Sequence, residues 1–357
     1  MTIEDIVIQI LSSIKDPFLG LTGKEMNLEC RMDITPTQLI IKLTAGFPSQ
    51  LLEKNYLPLV YKALQSEMTH KEIIIDINQK IKPHKTQLTG KGLRGVKNTI
   101  AVASGKGGVG KSTVTVNLAA ALAQLGARVG ILDADIYGPS MPLMLGEIDP
   151  IQVKDERYIP ANAHGIQTMS IGYLTDSDQA LIWRGPMLAK SLIQILDITL
   201  WDELDYLFID LPPGTGDIQL TLVQKIPLTA AIVVTTPQSV ATLDAQKALA
   251  MFSKTGIDVL GVVENMSTHI CSQCGHEETI FGAGGAEKLC TKSHIPLLGQ
   301  LPLDARIRQN CDEGIPTAIQ PQGALSDTLL KTAMVSSIEL SKKPINYADK
   351  FPKIVVE

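Results

Sequence analysis

Apolar positions near the start of the chain fall at Ile3, Ile6, Val7, Ile10, Leu11 and Ile14. That is the i, i+3, i+4, i+7 spacing of a helix with one buried face. Two β-like runs follow, "MNLECRMDI" and "QLIIKLT", with Pro36 between them marking a turn. "SQLLEKNYLPLVYKALQSEM" returns to helical spacing, and Pro58 inside it predicts a kink or a break. "KEIIIDI" closes the unit as a strand. An α-β-β-α-β order over residues 1–80 predicts a small α+β domain.

From Thr99 onward the pattern changes. Short apolar runs, "TIAVAS", "RVGILD", "YLFIDLP", "AAIVVTTP", "VLGVVENM" and "LLGQLP", alternate with helical spacing. Such runs suit strands buried on both faces. Residues 98–357 therefore predict an α/β domain, a mostly parallel sheet covered by helices on both faces. Between the two lies a basic stretch, 81–97, extended by Lys80. "KIKPHKTQLTGKGLRGVK" holds Lys, Arg, Gly and Pro but no acid and no aromatic residue for base stacking, so it reads as a solvated linker.

Composition narrows the setting. With 357 residues, 45% hydrophobic and 19% charged, the chain has room for two cores. A net charge of -5 gives no reason to expect nucleic acid or an anionic membrane as partner. The first residues are acidic where a secretion signal is basic, and no apolar run approaches the ~20 residues of a membrane span. A cytoplasmic protein is expected. Its five cysteines are then thiols or metal ligands rather than a disulfide framework.

The strongest chemical signal is "ASGKGGVGKST", between the strand "TIAVAS" and the helical pattern that starts near Ser112. Gly105, Gly110, Lys111 and Ser112 complete the G-x-x-x-x-G-K-[ST] loop. Its backbone from Gly105 through Gly107, Gly108, Val109 and Gly110 to Thr113 can cradle phosphate oxygens at a helix N-terminus. Lys111 then reaches the β/γ-phosphates, and Ser112 can bind Mg²⁺. Asp210 ends the strand of "YLFIDLPPGTGD", as a Walker B carboxylate does. Asp217 lies on the Gly-rich segment after it, placed to respond to the γ-phosphate. Asp133 and Asp135 of "ILDADIYGPS" follow another strand, where carboxylates face the ligand crevice and one could align water or contact the metal. Each of these acids could instead cap a turn or a helix.

Lys106 is a second cation in a loop that already has Lys111. Two charges ~4 Å apart repel by about 4 kcal/mol at an effective dielectric of 20. Lys106 is therefore expected to point away and act across a subunit interface, as an arginine finger does in trans. That predicts a homodimer.

"THICSQCGHEETIFGAGG" sets Cys271 and Cys274 two residues apart. Two thiolates are half of a tetrahedral set, for zinc or for an Fe–S cluster. No second C-x-x-C exists in the chain, and a symmetric dimer would supply the other half. A structural zinc and a redox-active dithiol remain alternatives. Cys30, Cys290 and Cys311 read as small buried hydrophobes. Arg184 and Trp183 of "LIWRGPM" fit either a phosphate or partner contact or the core.

Taken together, "GKGGVGKST", "DADIYGPSMP", "WRGPM", "IDLPPGTGD", "VVENMS" and "CSQC" closely resemble the Mrp/ApbC iron–sulfur cluster carriers of the MinD/ParA class of P-loop ATPases, from about Asn98 to about Pro316. The resemblance implies a P-loop NTPase fold and slow ATP hydrolysis with Mg²⁺. It implies that Lys106 acts in trans and that Asn265 recognises adenine. It also implies a labile [4Fe–4S] cluster bridging a homodimer through Cys271 and Cys274, taken from a donor scaffold and passed to apo-proteins. The first 80 residues are similar to the small FSCA-type Fe–S assembly domain. Phe18 stands where that domain has an acid, and no role is carried over to Asp16 or Cys30. The competing functions are a MinD/ParA-like positioning ATPase with zinc at the cysteine pair, and an electron donor of the nitrogenase-iron-protein kind. Pro344 and Pro352 in the C-terminal segment speak against the amphipathic helix that the first wants. The close cysteine spacing does not match the second.

Overall fold

The computed structural model describes residues 2–136, 138–146, 148–174, 185–271 and 273–346. The chain divides into two compact units, Met1–Lys82 with Met334–Lys343, and Pro83–Ala333 with Pro344–Glu357.

In the first unit the helix Ile3–Ser13 starts at a capping box. Asp5 N–H donates to the Thr2 hydroxyl and Thr2 N–H to the Asp5 carboxylate. Its buried face carries Val7 and Leu11. Strands Glu29–Ile34, Gln38–Ala45 and Glu72–Gln79 form a sheet in that order, the first pair antiparallel and the second parallel. Leu39, Ile41, Leu43 and Ala45 of the middle strand are buried, the period of two expected of a one-faced sheet. Pro58 breaks the helical segment into Gln50–Asn55 and Leu57–Glu67, and falls in the first turn of the second helix. A missing N–H is harmless there. Cys30 is half-buried rather than buried, because it lies on the edge strand.

The second unit is built on an eight-stranded sheet. Its order is Leu297–Gln300, Val259–Glu264, Ala230–Thr235, Thr99–Ser104, Tyr206–Asp210, Val129–Asp133, Ile166–Ser170 and Ala161–Ala163. All neighbours are parallel except the last pair. Every residue of Thr99–Ser104, Tyr206–Asp210 and Ala230–Thr235 is buried, as apolar runs inside a doubly covered sheet should be. Lys111–Gln124 packs as a helix buried on almost all sides, which its run of Val, Ala and Leu permits. Register sets Asp210 beside Asp133 at the carboxyl ends of their strands.

The basic stretch departs from expectation. Beyond Lys82 it is fastened along the second unit rather than solvated. Gln87 donates to the carbonyls of Val223 and Ile226 and accepts from Leu228 N–H. His84 is buried with its ring 2.9 Å from Asn98 Oδ1. The Gly95 carbonyl accepts from Leu204 N–H, and Lys97 pairs with Asp205 at 2.7 Å. Lysine content suggested solvation, but the Gln87 amide, the His84 ring, Lys97 and the backbone make the attachment. Among the described residues no helix is long and apolar enough to cross a membrane.

Candidate functional site

The phosphate loop leaves the central strand at Ser104 and enters the helix at Lys111. Geometry favours glycine in this loop in two ways, by backbone angle and by close approach. Gly110 caps the helix at φ +81°, which side chains with a Cβ rarely adopt. A Cβ on Gly105 would stand 2.1 Å from the Asp244 carbonyl carbon, so the helix Ser239–Lys254 presses directly on the loop.

Lys111 turns inward. Its Nζ lies 2.7 Å from Asp210 Oδ2 and 4.0 Å from Asp135 Oδ2. The Ser112 hydroxyl donates to the same Asp210 oxygen at 2.6 Å. Lys106, only half-buried, has no ion-pair partner among the described residues. Thus the two lysines are divided, one among carboxylates and one unengaged.

Asp210 is fully buried and its second oxygen accepts from the Thr115 hydroxyl at 2.8 Å. Sequence reasoning missed Thr115, although it sits one helical turn after Lys111 and so shares its face. Thr115→Val would leave Asp210 one donor short, a loss of about 1.5–3 kcal/mol for a hydrogen bond to a charged group. Thermal unfolding should show a midpoint several degrees lower for Thr115→Val, with Thr115→Ser restoring it.

Asp133 is engaged differently from Asp135. Its carboxylate accepts from the backbone N–H groups of Asp135, Ser140 and Met141 and from the Ser170 hydroxyl. Burial first, and then Asp210, push its pKa up to about 7. Asp133 therefore anchors the turn after its strand, and Asp135, raised by burial but partly open, is the carboxylate turned toward Lys111. Asp210 and Asp135 around one ammonium leave surplus negative charge beside a serine hydroxyl. These are the hard oxygen donors that Mg²⁺ takes, and the set fits it.

Asp217 is exposed at the first turn of the helix Asp217–Lys225. The segment before it is tied to the loop strand through Gly214 N–H, which donates to the Ser104 carbonyl at 3.0 Å. Asn265 is buried, and its Nδ2 donates to the Val109 carbonyl of the phosphate loop at 2.9 Å. Next to it Glu264, a buried acid inside an apolar strand, accepts from Ala286 N–H and from Gln300 Nε2. An acid within "VLGVVENM" was the signal that could have found it.

Four residues beyond Asn265 the chain enters a short antiparallel hairpin of His269–Ile270 with Glu277–Glu278. Cys271 and Cys274 lie in its turn, the first half-buried and the second exposed. Cys271 N–H donates to the His276 carbonyl, and Gly275 N–H to the Cys271 carbonyl. The N–H of Cys274, and then that of Gln273, hold the Cys271 thiol below its ordinary pKa. Among the described residues no group of three or more Cys, His, Asp or Glu side chains gathers to hold a metal. Trp183 and Arg184 fall outside the described residues.

Residues 95–336 match the ParA family described as NUBPL iron-transfer P-loop NTPase. An iron-sulfur cluster carrier protein of Escherichia coli is 60% identical over 230 residues, 64% of this chain and 62% of that relative. One from Synechocystis is 41% identical over 340 residues, covering 93% of this chain and 96% of the relative. Among solved structures, a nucleotide-binding protein from Archaeoglobus fulgidus in complex with ADP is 39% identical. It aligns with a TM-score of 0.56 over 64% of this chain and 90% of its own.

Proposed function

This chain belongs to the Mrp/ApbC family of ATP-binding and ATP-hydrolysing iron–sulfur cluster carriers, within the MinD/ParA class of P-loop NTPases, and on that premise we propose that two copies hold one [4Fe–4S] cluster between them as cargo. Each copy contributes Cys271 and Cys274 on the twofold axis. A donor scaffold loads the cluster and apo-proteins in the cytoplasm receive it. The observation that carries this reading is the hairpin turn, which presents two thiols with no third ligand among the described residues. Four thiolates complete a [4Fe–4S] site. A site split between chains opens when the chains part.

ATP binds in the loop Gly105–Thr113, and a relative seen with ADP supports adenine as the base. Lys111 holds the β/γ-phosphates. Ser112 and Asp210 hold Mg²⁺, which neutralises developing charge on phosphate oxygens when bound. Asp135 aligns the attacking water. Asp133 contributes by fixing the turn that presents Asp135, which narrows the role expected from sequence alone. Lys106 stabilises transition-state charge in the partner copy's site. Asp217, behind a segment tied to Ser104, moves when the γ-phosphate leaves. Asn265 reads adenine and also bonds the loop carbonyl, so nucleotide occupancy is felt six residues before Cys271.

Cluster transfer tests this reading. Protein reconstituted anaerobically with iron and sulfide, then mixed with an apo-enzyme that needs [4Fe–4S], should restore that enzyme's activity in proportion to the cluster lost from the carrier. An apo-enzyme that stays inactive while the carrier keeps its cluster would contradict it.

A further inference from the structure

Neither the nucleotide loop nor the thiol hairpin uses a groove of about 640 Å³ in the first unit. Its volume lies within the ~300–1,000 Å³ of ligand sites. Lys15, Lys24 and Lys342 line it, with Glu25, Thr22 and Asn27. The protein as a whole is acidic, at -5, so three lysines around one opening stand out against the average.

Local bonding fixes this groove. Lys15 forms an antiparallel bridge with Thr22, and Asp16 N–H closes the intervening loop onto the Leu21 carbonyl at 2.8 Å. The Glu25 carboxylate accepts from both the backbone N–H and the hydroxyl of Thr22, while Glu25 N–H donates back to that hydroxyl. Asn27 Nδ2 donates to the Ser341 carbonyl at 3.2 Å, which holds Lys342 beside the opening. Lys342 also bonds Glu339 at 2.6 Å. Lys15 and Lys24 have no ion-pair partner among the described residues.

We propose that this groove binds a carboxylate-rich segment of a partner protein. Two features favour an extended acidic chain over a compact phosphate. Thr22 N–H, the lining amide that could join a phosphate cradle, is already taken by Glu25. Finally, Glu25 sits where both Lys15 and Lys342 act on it, so a doubly charged group in the middle meets a fixed negative charge. Separate carboxylates along a peptide can use the lysines on either side and avoid that centre.

The test uses the full chain and a fluorescein-labelled hexaglutamate peptide, followed by fluorescence anisotropy at low salt. Saturable binding is expected, with no binding of hexaglutamine. Combined Lys15→Gln, Lys24→Gln and Lys342→Gln should weaken it by about tenfold, what three exposed ion pairs contribute together. Arginine at the same three positions should keep it, and unchanged ATP turnover in the glutamine variant reports an intact fold. Lys91→Gln with Arg94→Gln, on the exposed part of the basic stretch, should leave binding unchanged. Absence of saturable binding, equal affinity in the triple glutamine variant, loss in the Lys91/Arg94 variant, or displacement by equimolar inorganic phosphate would each overturn the assignment. None of these outcomes depends on cluster carriage, which the transfer assay judges separately.

Discussion

Lys106→Ala lowers ATP turnover by about 10³-fold or more, the scale of a cation supplied in trans to phosphoryl transfer. Nucleotide binding and thermal stability should stay close to wild type, because the Lys106 side chain has no ion-pair partner among the described residues to lose. Lys111→Ala is expected to be as inactive, for a different reason: it leaves Asp210 and Asp135 without their ammonium and removes the phosphate ligand. The two variants together separate trans from cis action. In a mixed dimer the Lys106→Ala copy keeps its own Lys111 and receives Lys106 from the Lys111→Ala copy, so one of the two sites is whole. Equal mixing makes half of the dimers mixed, and about a quarter of wild-type turnover should return. If Lys106 worked within its own chain, no mixture would recover anything.

The second large effect concerns the thiols. Cys271→Ala with Cys274→Ala should reduce iron and sulfide after anaerobic reconstitution to background, and abolish transfer to an apo-enzyme. ATP affinity should be unchanged, since the hairpin is joined to the loop by the Asn265 amide and not by either sulfur. Cys290→Ala should leave iron content as in wild type. That thiol is buried against the Pro296 carbonyl and pushed up to about pKa 11, first by desolvation and then by Glu264. Retained iron in the double variant would remove the assignment of ligands.

Much of the fold was readable because its signals are local. The six strands read from apolar runs are all present, and Pro58 divides its helix where the ring demands. The strand Ile166–Ser170 was not readable. "IQTMS" lacks an apolar run, yet four of its five residues are buried, and Val129–Asp133 and Ala161–Ala163 pair with it on its two edges. Docking of the basic stretch was hidden for a similar reason, since Gln87 makes its bonds to carbonyls more than a hundred residues away. In the candidate site, spacing singled out the loop, Asp210 and the cysteine pair. It could not divide Asp133 from Asp135, which differ only in what the fold brings to them, four donors to the first and an ammonium to the second. Thr115 was overlooked because a hydroxyl inside a helix is ordinary until a buried carboxylate meets it.

Native mass spectrometry of protein reconstituted without oxygen, with Mg-ATP present, weighs shared completion of both centres in one experiment. A species of twice the chain mass carrying a single cluster of about four irons and four sulfides is expected, dissociating to cluster-free chains when Cys274 is replaced by Ala. A lone chain that keeps a full cluster and hydrolyses ATP at the wild-type rate would contradict the account.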